Sequence, residues 1–595
     1  MQHISLLFIL IIKDNQRQPI RRTQILESFY KTREFSDLKE MLDQSAELFK
    51  DRPAFEIKRN NEHFNISFPR YIEEINGFIT ALAKEGYKDT SIAVCADNCY
   101  EYCLSYLSVI CSGNVIVPID KELMAEDIKG ILNVSHSKIL ICDEHFLSRV
   151  DISGFNGIRI LCISKPAKGF ENLETLACFV NRGINLNKKG ETLYKDIKQD
   201  TRKLCTLLFT SGTTGVSKGV MLSQDNFIFE IKSAMGVVKI YPEDCGISLL
   251  PLHHTFESSI MIFFAPYCGG KVTFCEGFKY VLRNMKEFNP SVFVAVPQVL
   301  ETVHKRILKK VSQQKYGEIK FKVGKALCKA GSMVGIDLKK TIFKEIQDTF
   351  GGNMRLIICG GAPIDPQIIK DFDAFGIQVI FGYGLTECAP LAIINNDRVR
   401  STDSIGVPLP GVEAKIIDED ENGIGELCVK GGMVMLGYYN NPAATAEVMD
   451  DDGFFHTGDL AFVDKKGHYH ITGRCKNVIV TSNGKNIYPE ELEYHLCRSN
   501  FIASAMVEGK DDSKGDLQVH AQIYPDKEEI REYLDKEPSK EEIDAVIKQV
   551  VNEVNREVPG FKRIKSYFVR DKEFIMTTTA KIKRSANSAL KGKKQ

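Results

Sequence analysis

From about Lys39 onward, short apolar runs alternate with stretches of helical periodicity, and this alternation leaves few folds open to the chain. The runs include "SIAVCA", "VIVPI", "ILIC", "IRILCI" and "LLFT", and between several of them lie segments such as "YEYCLSYLSVICSG". A short run of apolar residues suits a strand covered on both faces, and a helical crossover is what joins two parallel neighbours. The alternation predicts α/β architecture with largely parallel sheets. Two more strand–turn–helix units follow, at "SVFVAVPQVLETVHKRI" and "MRLIICGGAPIDPQIIKDF". After Gly406 the character changes. "GVPLPGVEAKIIDEDENGIGELCVKGG" reads as short strands and tight turns, with "ENG" as a hairpin signal, and predicts a smaller β-rich subdomain. Beyond "ITGRCKNVIV" a helix is expected to open at Pro489, and "SKEEIDAVIKQVVNEVNREV" is a second helical segment. A domain boundary is expected near Arg474.

The 595 residues exceed one core, because domains usually run to ~100–200 residues, so several lobes are expected. Basic and acidic residues both number 78, and this balance argues against a nucleic-acid partner. The basic end "KIKRSANSALKGKKQ" is a local exception, and its last residues read as a frayed, solvated tail. The 17 cysteines include no C-x-x-C pair and fit no zinc spacing. Many stand in apolar runs, as small buried hydrophobes do in a reducing compartment, so a cytoplasmic protein without structural disulfides is expected. The opening "MQHISLLFILII" is apolar but short of the ~20 residues that span a bilayer. Its basic neighbours follow the apolar run, where a secretory signal would place them before it. A packed strand or an extension is expected there, with at most weak peripheral contact at the inner face of a membrane. Nothing in the pattern speaks to oligomeric state.

One loop stands out chemically. "TSGTTGVSKG", Thr210 to Gly219, holds three glycines, five hydroxyl residues, one lysine and no acid. Glycine admits φ > 0, so backbone N–H groups can converge on one point, while hydroxyls and Lys218 add donors and charge. Such a concavity suits a polyphosphate. Its flanks, "LCTLLF" (Leu204 to Phe209) and "GVML" (Gly219 to Leu222), read as strands. A Walker loop needs G-x-x-x-x-G-K-[ST] leading into a helix, and here Gly212 and Gly215 are too close and Gly219 follows the lysine. A P-loop ATPase is therefore disfavoured, and on composition alone a plain surface turn stays open.

The loop is the first of seven polar stretches at apparent strand ends, where doubly wound folds collect ligands. The others are "PLHHTFE", "CGGAPI", "FGYGLTEC", "HTGDLA", "GRCKN" and "TTTAKIKR". Together, in this order over roughly residues 40 to 590, they resemble the adenylate-forming superfamily of acyl-CoA synthetases, luciferases and peptide-synthetase adenylation domains. "LLPLHHTFE", "VPQVLE" and "PLPGVEAKI" resemble the long-chain fatty acyl-CoA synthetase branch. The resemblance implies an N-terminal extension over 1–38 and a large N-terminal domain over 39–473, with two doubly wound α/β sheets and a smaller β-rich subdomain. A small mobile α+β C-terminal domain over 474–590 and a basic tail over 591–595 complete the implied organisation.

The implied reaction has two steps: a carboxylate attacks the α-phosphate of ATP to give acyl-AMP and pyrophosphate, and a thiol then displaces AMP. The implied partners are a fatty acid, ATP, Mg²⁺ and coenzyme A. Thr210, Ser211, Gly212, Thr213, Thr214, Gly215 and Lys218 would cradle the β- and γ-phosphates. Ser217 stands where the family usually has proline, which implies a looser loop. Thr386 would bind the α-phosphate, and Glu387 would help hold Mg²⁺ as a hard carboxylate donor. Tyr383 would stack on adenine beside Gly384, and the backbone of Gly360, Gly361 and Ala362 would line the base. Asp459 would accept from both ribose hydroxyls, with Arg474 reaching the same ribose or a phosphate. Lys476 matches the hinge of the mobile domain, and Gly484 would leave room for pantetheine after rotation. Lys581 would close on the α-phosphate in the transition state. Ala580 stands before it where glycine is usual, and Lys583 is its competitor in a slipped alignment.

Read from residues alone, each of these has a plainer alternative: a capping carboxylate, an Asx turn, a surface arginine, a solvated lysine. His253 and His254 would face opposite ways on a strand, which disfavours a shared metal. The resemblance places His254 at the mouth of the acyl or pantetheine channel. His468 and His470 share a strand face but, with no carboxylate or cysteine in view, read as surface residues. "HHTFESSIMIFF" and "VFVAVPQVLE" are apolar enough to line a lipid pocket and equally suit plain core. An adenylating ligase for a carrier-protein thiol, or for an aromatic or medium-chain acid, is the runner-up, followed by a non-catalytic relative.

Overall fold

The computed structural model describes residues 26–151, 155, 157–164, 170, 172–210, 218–333, 335–480, 485–511, 517–576 and 582–589. Its described residues group into two units. The larger comprises 27–410, 432–447 and 574–589; the smaller is built from 411–431 and 448–573.

Two extended sheets organise the larger unit. The first has nine strands. Its centre is a parallel run of Lys271–Phe274, Cys245–Ser248, Val292–Ala295, Leu356–Gly360 and Gln378–Gly384, in that spatial order. Leu391–Ile394 and Val407–Pro408 extend one side antiparallel. Pro53–Arg59 and Glu62–Ser67 close the other. The second sheet has eight strands, with Leu204–Thr210, Val115–Pro118, Ser91–Cys95, Ile139–Cys142 and Arg159–Cys162 parallel neighbours. On its other flank Lys218–Ser223 and then Gly437–Tyr438 add antiparallel strands.

The apolar runs make these strands because both faces are covered. Phe293, Ala295, Ile357 and Cys359 are buried against Met285, Leu300, Val303 and Phe372 from the crossover helices. In the second sheet Ala93, Cys95, Val117 and Leu140 pack on Ile128, Leu132 and Phe146. Local signals set the helix starts: Ser223 and Asn226 cap Gln224–Met235 reciprocally, and Ser67 caps Phe68–Lys84 ahead of Pro69.

The smaller unit holds a four-stranded antiparallel sheet of Glu413–Ile417, Gly425–Lys430, Phe455–Val463 and Tyr469–Arg474. A three-stranded sheet, Ile502–Asp511, Leu517–Pro525 and Ser566–Val569, follows. Helix Lys540–Glu557 opens on a capping box of Ser539 and Glu542. It packs Ile543, Ile547, Val550 and Val554 against Val507, Ala521 and Ile523. Helix Pro489–Cys497 adds Leu492 and Leu496 to the same core. The α/β expectation, with two sheets, a β-rich portion and an α+β portion, is met. All the cysteines carry free thiols, most of them buried. Among the described residues no helix is long and apolar enough to cross a membrane.

Candidate active site

Three adjacent parallel strands and their neighbour deliver the polar motifs. Cys245–Ser248, Val292–Ala295, Leu356–Gly360 and Gln378–Gly384 run side by side, and each leaves the sheet at its carboxyl end into a stretch quoted above, Val292–Ala295 directly into helix Pro297–Ser312. Register makes two of these turns direct neighbours, with Cys359 opposite Phe381 and Gly360 opposite Gly382. This is the edge of a doubly wound sheet at which ligands bind. Gly361 takes φ +90° and, with Ala362, is exposed there. Tyr383 is half-buried on the neighbouring strand. Gly384 is required by close approach: Leu385 N–H donates to the Pro390 carbonyl at 2.8 Å. A Cβ on Gly384 would stand 1.9 Å from that oxygen. The fold-back ends in a single 3-10 turn, Thr386–Cys388, which holds Thr386 and Glu387 half-buried at the strand end.

The second sheet brings a lysine to the tyrosine that hydrogen-bonds the same carboxylate. Thr210 and Lys218 are paired directly across antiparallel strands, so the intervening loop starts and ends on one rung. Lys218 Nζ lies 4.6 Å from the centroid of the Tyr438 ring. Tyr438 sits on the edge strand that pairs with Val220, and its hydroxyl donates to Glu387 Oε1 at 2.9 Å. The Glu387 carbonyl accepts from Met435 N–H at 2.9 Å. Burial, reinforced by the Glu387 carboxylate, pushes the Tyr438 phenol well up, so it stays a neutral donor. Tyr438 thus touches both the lysine of one sheet and the carboxylate at the end of the other. Glu387 has no other side-chain hydrogen bond among the described residues, which leaves Oε2 for a hard cation.

The histidine pair departs from expectation. His253 and His254 lie in a turn, not on a strand, and their rings approach to 4.1 Å between centroids. The turn lets neighbouring residues share a side, which strand alternation forbids. Burial, then His254, holds His253 well below the usual imidazole range, with Asp120 at 3.7 Å. His254 precedes helix Thr255–Ser258, which runs into a π-helical stretch, Ser259–Phe264, buried throughout. Behind it, buried Glu257 accepts from Leu249 N–H at 3.0 Å, and burial raises its carboxyl to about 8.

In the smaller unit, Asp459 and Arg474 are cross-strand partners, and Arg474 Nε meets Asp459 Oδ1 at 2.7 Å. Asp459 is carried on a bulge: Glu426 opposes Leu460 and Cys428 opposes His456, so Leu427 alone faces Thr457, Gly458 and Asp459. Glu426 staples the bulge, Oε1 accepting from Gly458 N–H at 3.0 Å and Oε2 lying 3.1 Å from His456 Nδ1. Thr457 Oγ1 donates to the Leu427 carbonyl at 2.7 Å and accepts from Asp459 N–H at 3.1 Å. Donor atoms of Glu426, Cys428 and His456 lie within 4.8 Å of one another, because the staple joins Glu426 to His456 and Cys428 is the cross-strand partner of His456. Lys476 is exposed in a 3-10 turn, Cys475–Asn477, pinned by Asn477 Nδ2 donating to Glu490 at 2.6 Å. His468 and His470 do have a carboxylate beside them: Asp464 lies 3.5 and 3.4 Å from their rings. It reaches both from the turn before the strand, a contact that their own strand spacing does not show.

Ser211, Gly212, Thr213, Thr214, Gly215, Gly484 and Lys581 lie outside the described residues. Met576 and Ile582 form an antiparallel bridge on either side of the segment with Lys581. Asn587 ties its base, exchanging two 3.0 Å hydrogen bonds with the Ile575 backbone. Two residues that sequence reasoning passed over are Tyr438 and Glu426. Tyr438 gives no local signal beyond "GYYN", and the acid of "GELCV" reads as an outward strand residue.

Known proteins share sequence and fold with this chain. The family model for the AMP-binding enzyme matches residues 42–439, and that for the AMP-binding enzyme C-terminal domain matches 476–590. Long-chain-fatty-acid–CoA ligase 5 of Rattus norvegicus is 29% identical over 603 residues, covering 92% of this chain and 87% of that protein. The chloroplastic long-chain-fatty-acid–[acyl-carrier-protein] ligase AEE15 of Arabidopsis thaliana is 28% identical, covering 91% and 83%. Among solved structures, ATP-bound MatB from Rhodopseudomonas palustris superposes with a TM-score of 0.71 at 23% identity, over 92% of this chain and 98% of that one.

Proposed function

We propose, on the premise that the chain belongs to the AMP-binding enzyme family, that it activates a long-chain fatty acid with ATP and transfers the acyl group to coenzyme A. The observation that carries this reading is the line from Lys218 through Tyr438 to Glu387 at the strand ends. It supports the reading because a positive charge and a hard carboxylate share one side chain as neighbour, and a triphosphate with its cation would use both. The names of the relatives in sequence favour the long-chain acid.

In the first step a carboxylate oxygen attacks the α-phosphorus, the bond to the bridging oxygen breaks, and pyrophosphate leaves. Lys218, Thr210 and the residues from Ser211 to Gly215 bind the leaving phosphates. Thr386 holds the α-phosphate, and Glu387, through its remaining oxygen, would hold Mg²⁺. When bound, that cation offsets phosphate charge. Tyr383, Gly384 and the Gly360–Ala362 backbone position the base. Asp459 and Arg474 bind the ribose, and Lys581 stabilises the charge that builds on the α-phosphate. In the second step the thiolate sulfur attacks the acyl carbonyl and AMP leaves with the bonding pair. Lys476 would serve as hinge, Gly484 would leave room for pantetheine after rotation, and His254 would act at the entry of the acyl or pantetheine channel. A carrier-protein thiol as acceptor is the second reading, favoured by the similarity to AEE15.

The test is carboxylate-dependent exchange of labelled pyrophosphate into ATP without thiol, across acids from acetate to oleate and benzoate. Exchange with oleate and palmitate, followed by acyl-CoA formation on adding coenzyme A, is expected. Exchange confined to short or aromatic acids would overturn the substrate, and acyl transfer only to a carrier protein would overturn the acceptor.

A further inference from the structure

We propose that the outer face of helix Gly317–Met333 docks the protein on an anionic phospholipid membrane. The helix belongs to the larger unit and is apolar on two opposite sides. Its inner side is made of small residues, with Gly317, Gly324, Cys328 and Gly331 buried and Phe321 against Phe343 and Phe375. Space there is tight, since a Cβ on Gly324 would come within 3.0 Å of Ile342 and 3.2 Å of Phe343. The large apolar side chains stand on the opposite side. Ile319, Val323 and Leu327 recur every fourth residue and are 61%, 51% and 52% exposed. Tyr316, just before the helix, is 63% exposed and Met333, at its end, 82%. At ~100° per residue these five side chains fall within one arc of about 120°.

A helix that only faces water would place its charges at the centre of that arc. Here they stand at the margins, Lys320 on one side and Lys322 and Lys329 on the other, all exposed. None of these three forms an ion pair among the described residues, whereas inward Lys325 pairs with Asp371 at 2.9 Å. From Lys309 to Lys344 the chain carries ten lysines against two acids, Glu318 and Asp337, although the whole protein is neutral. An apolar stripe this continuous is a contact surface and not scattered exposure. The charge selects the partner. A second copy seated on the stripe by a two-fold axis would set lysine against lysine. Anionic headgroups match it, because lysine stems lie along apolar surface while their ammonium groups reach the phosphates. Under the fatty-acid reading, this places the enzyme where its amphiphilic substrate partitions; the docking itself does not rest on that reading.

The test is co-sedimentation of the full chain, without nucleotide, with vesicles of phosphatidylcholine alone or with about 30% phosphatidylglycerol. Binding at least ~10-fold stronger to the anionic vesicles, and weakened by salt, is expected. Ile319→Glu/Val323→Glu/Leu327→Glu should abolish it, and Lys320→Gln/Lys322→Gln/Lys329→Gln should weaken it ~10-fold or more. Both variants should keep the wild-type melting temperature, because every changed side chain points to solvent. No binding to anionic vesicles would overturn the proposal. So would equal binding to both vesicle types, or a dimer in sedimentation velocity that the first variant abolishes. Pyrophosphate exchange measured without vesicles reports the catalytic reading separately.

Discussion

The Tyr438 hydroxyl donates to Glu387 Oε1 at 2.9 Å while the same ring lies under Lys218 Nζ, 4.6 Å from its centroid. One side chain therefore orients the carboxylate and holds the cation that the proposed chemistry needs. Tyr438→Phe keeps the ring and deletes the hydrogen bond. We expect a ~10-fold loss in pyrophosphate exchange, the cost of about one hydrogen bond to a charged group, and a higher Mg²⁺ concentration for half-maximal rate. Tyr438→Ala should lose more. Rates measured against Mg²⁺ at fixed ATP decide it, and an unchanged Mg²⁺ dependence in Tyr438→Phe would remove the positioning role.

Glu426 acts at a different place. Without its carboxylate the bulge loses the Gly458 N–H and His456 contacts, and Asp459 loses its fixed presentation. Glu426→Ala is expected to raise the KM for ATP ~10-fold with little change in kcat. Asp459→Ala should raise it further. Initial rates with ATP varied separate the two parameters.

Gly384 is a steric requirement. With the Pro390 oxygen 1.9 Å from any Cβ placed there, Gly384→Ala must push backbone from backbone. A loss of more than ~3 kcal/mol is expected, read as a lower urea midpoint or failure to fold.

Burial lifts the Glu257 carboxyl to about 8, against ~4.3 in an unfolded chain. As pH rises between those values the unfolded state releases its proton first, so this group's contribution to stability falls through the window and levels off above about 8. Glu257→Gln resembles the neutral acid in shape and should remove that slope. The variant is expected to match wild type near pH 4 and to exceed it by ~1 kcal/mol or more near pH 8, by urea denaturation at both. A parallel pH dependence in the two proteins would show that Glu257 does not titrate in this window.

Much of this arrangement is legible in the chain. The strands flanking the glycine-rich loop follow from apolar runs, since Leu204–Thr210 and Lys218–Ser223 stand where "LCTLLF" and "GVML" put them. The helix at Lys540 follows from its Ser539–Glu542 capping pair and apolar stripe. What escapes sequence reading depends on tertiary placement. Tyr438 meets Glu387 51 positions away, because an edge strand of one sheet passes the end of the other. His253 and His254 turn to one side because the chain leaves the sheet at Leu249 and Leu250, before it reaches them. Glu426 gains its role only because a bulge, visible in register and not in composition, brings Gly458 N–H to it.

Lys218 belongs to the strand ladder, paired across from Thr210, and not to the loop that it completes. Its ammonium is delivered by a hydrogen-bonded framework that the loop residues do not have to maintain. Substitutions inside the loop are therefore expected to leave the charge in place, and Ser217, where the family usually has proline, is one such change. The same separation tells a protein engineer where to work: loop residues can be randomised to retune the proposed phosphate binding, while the paired strands Leu204–Thr210 and Lys218–Ser223 are left intact.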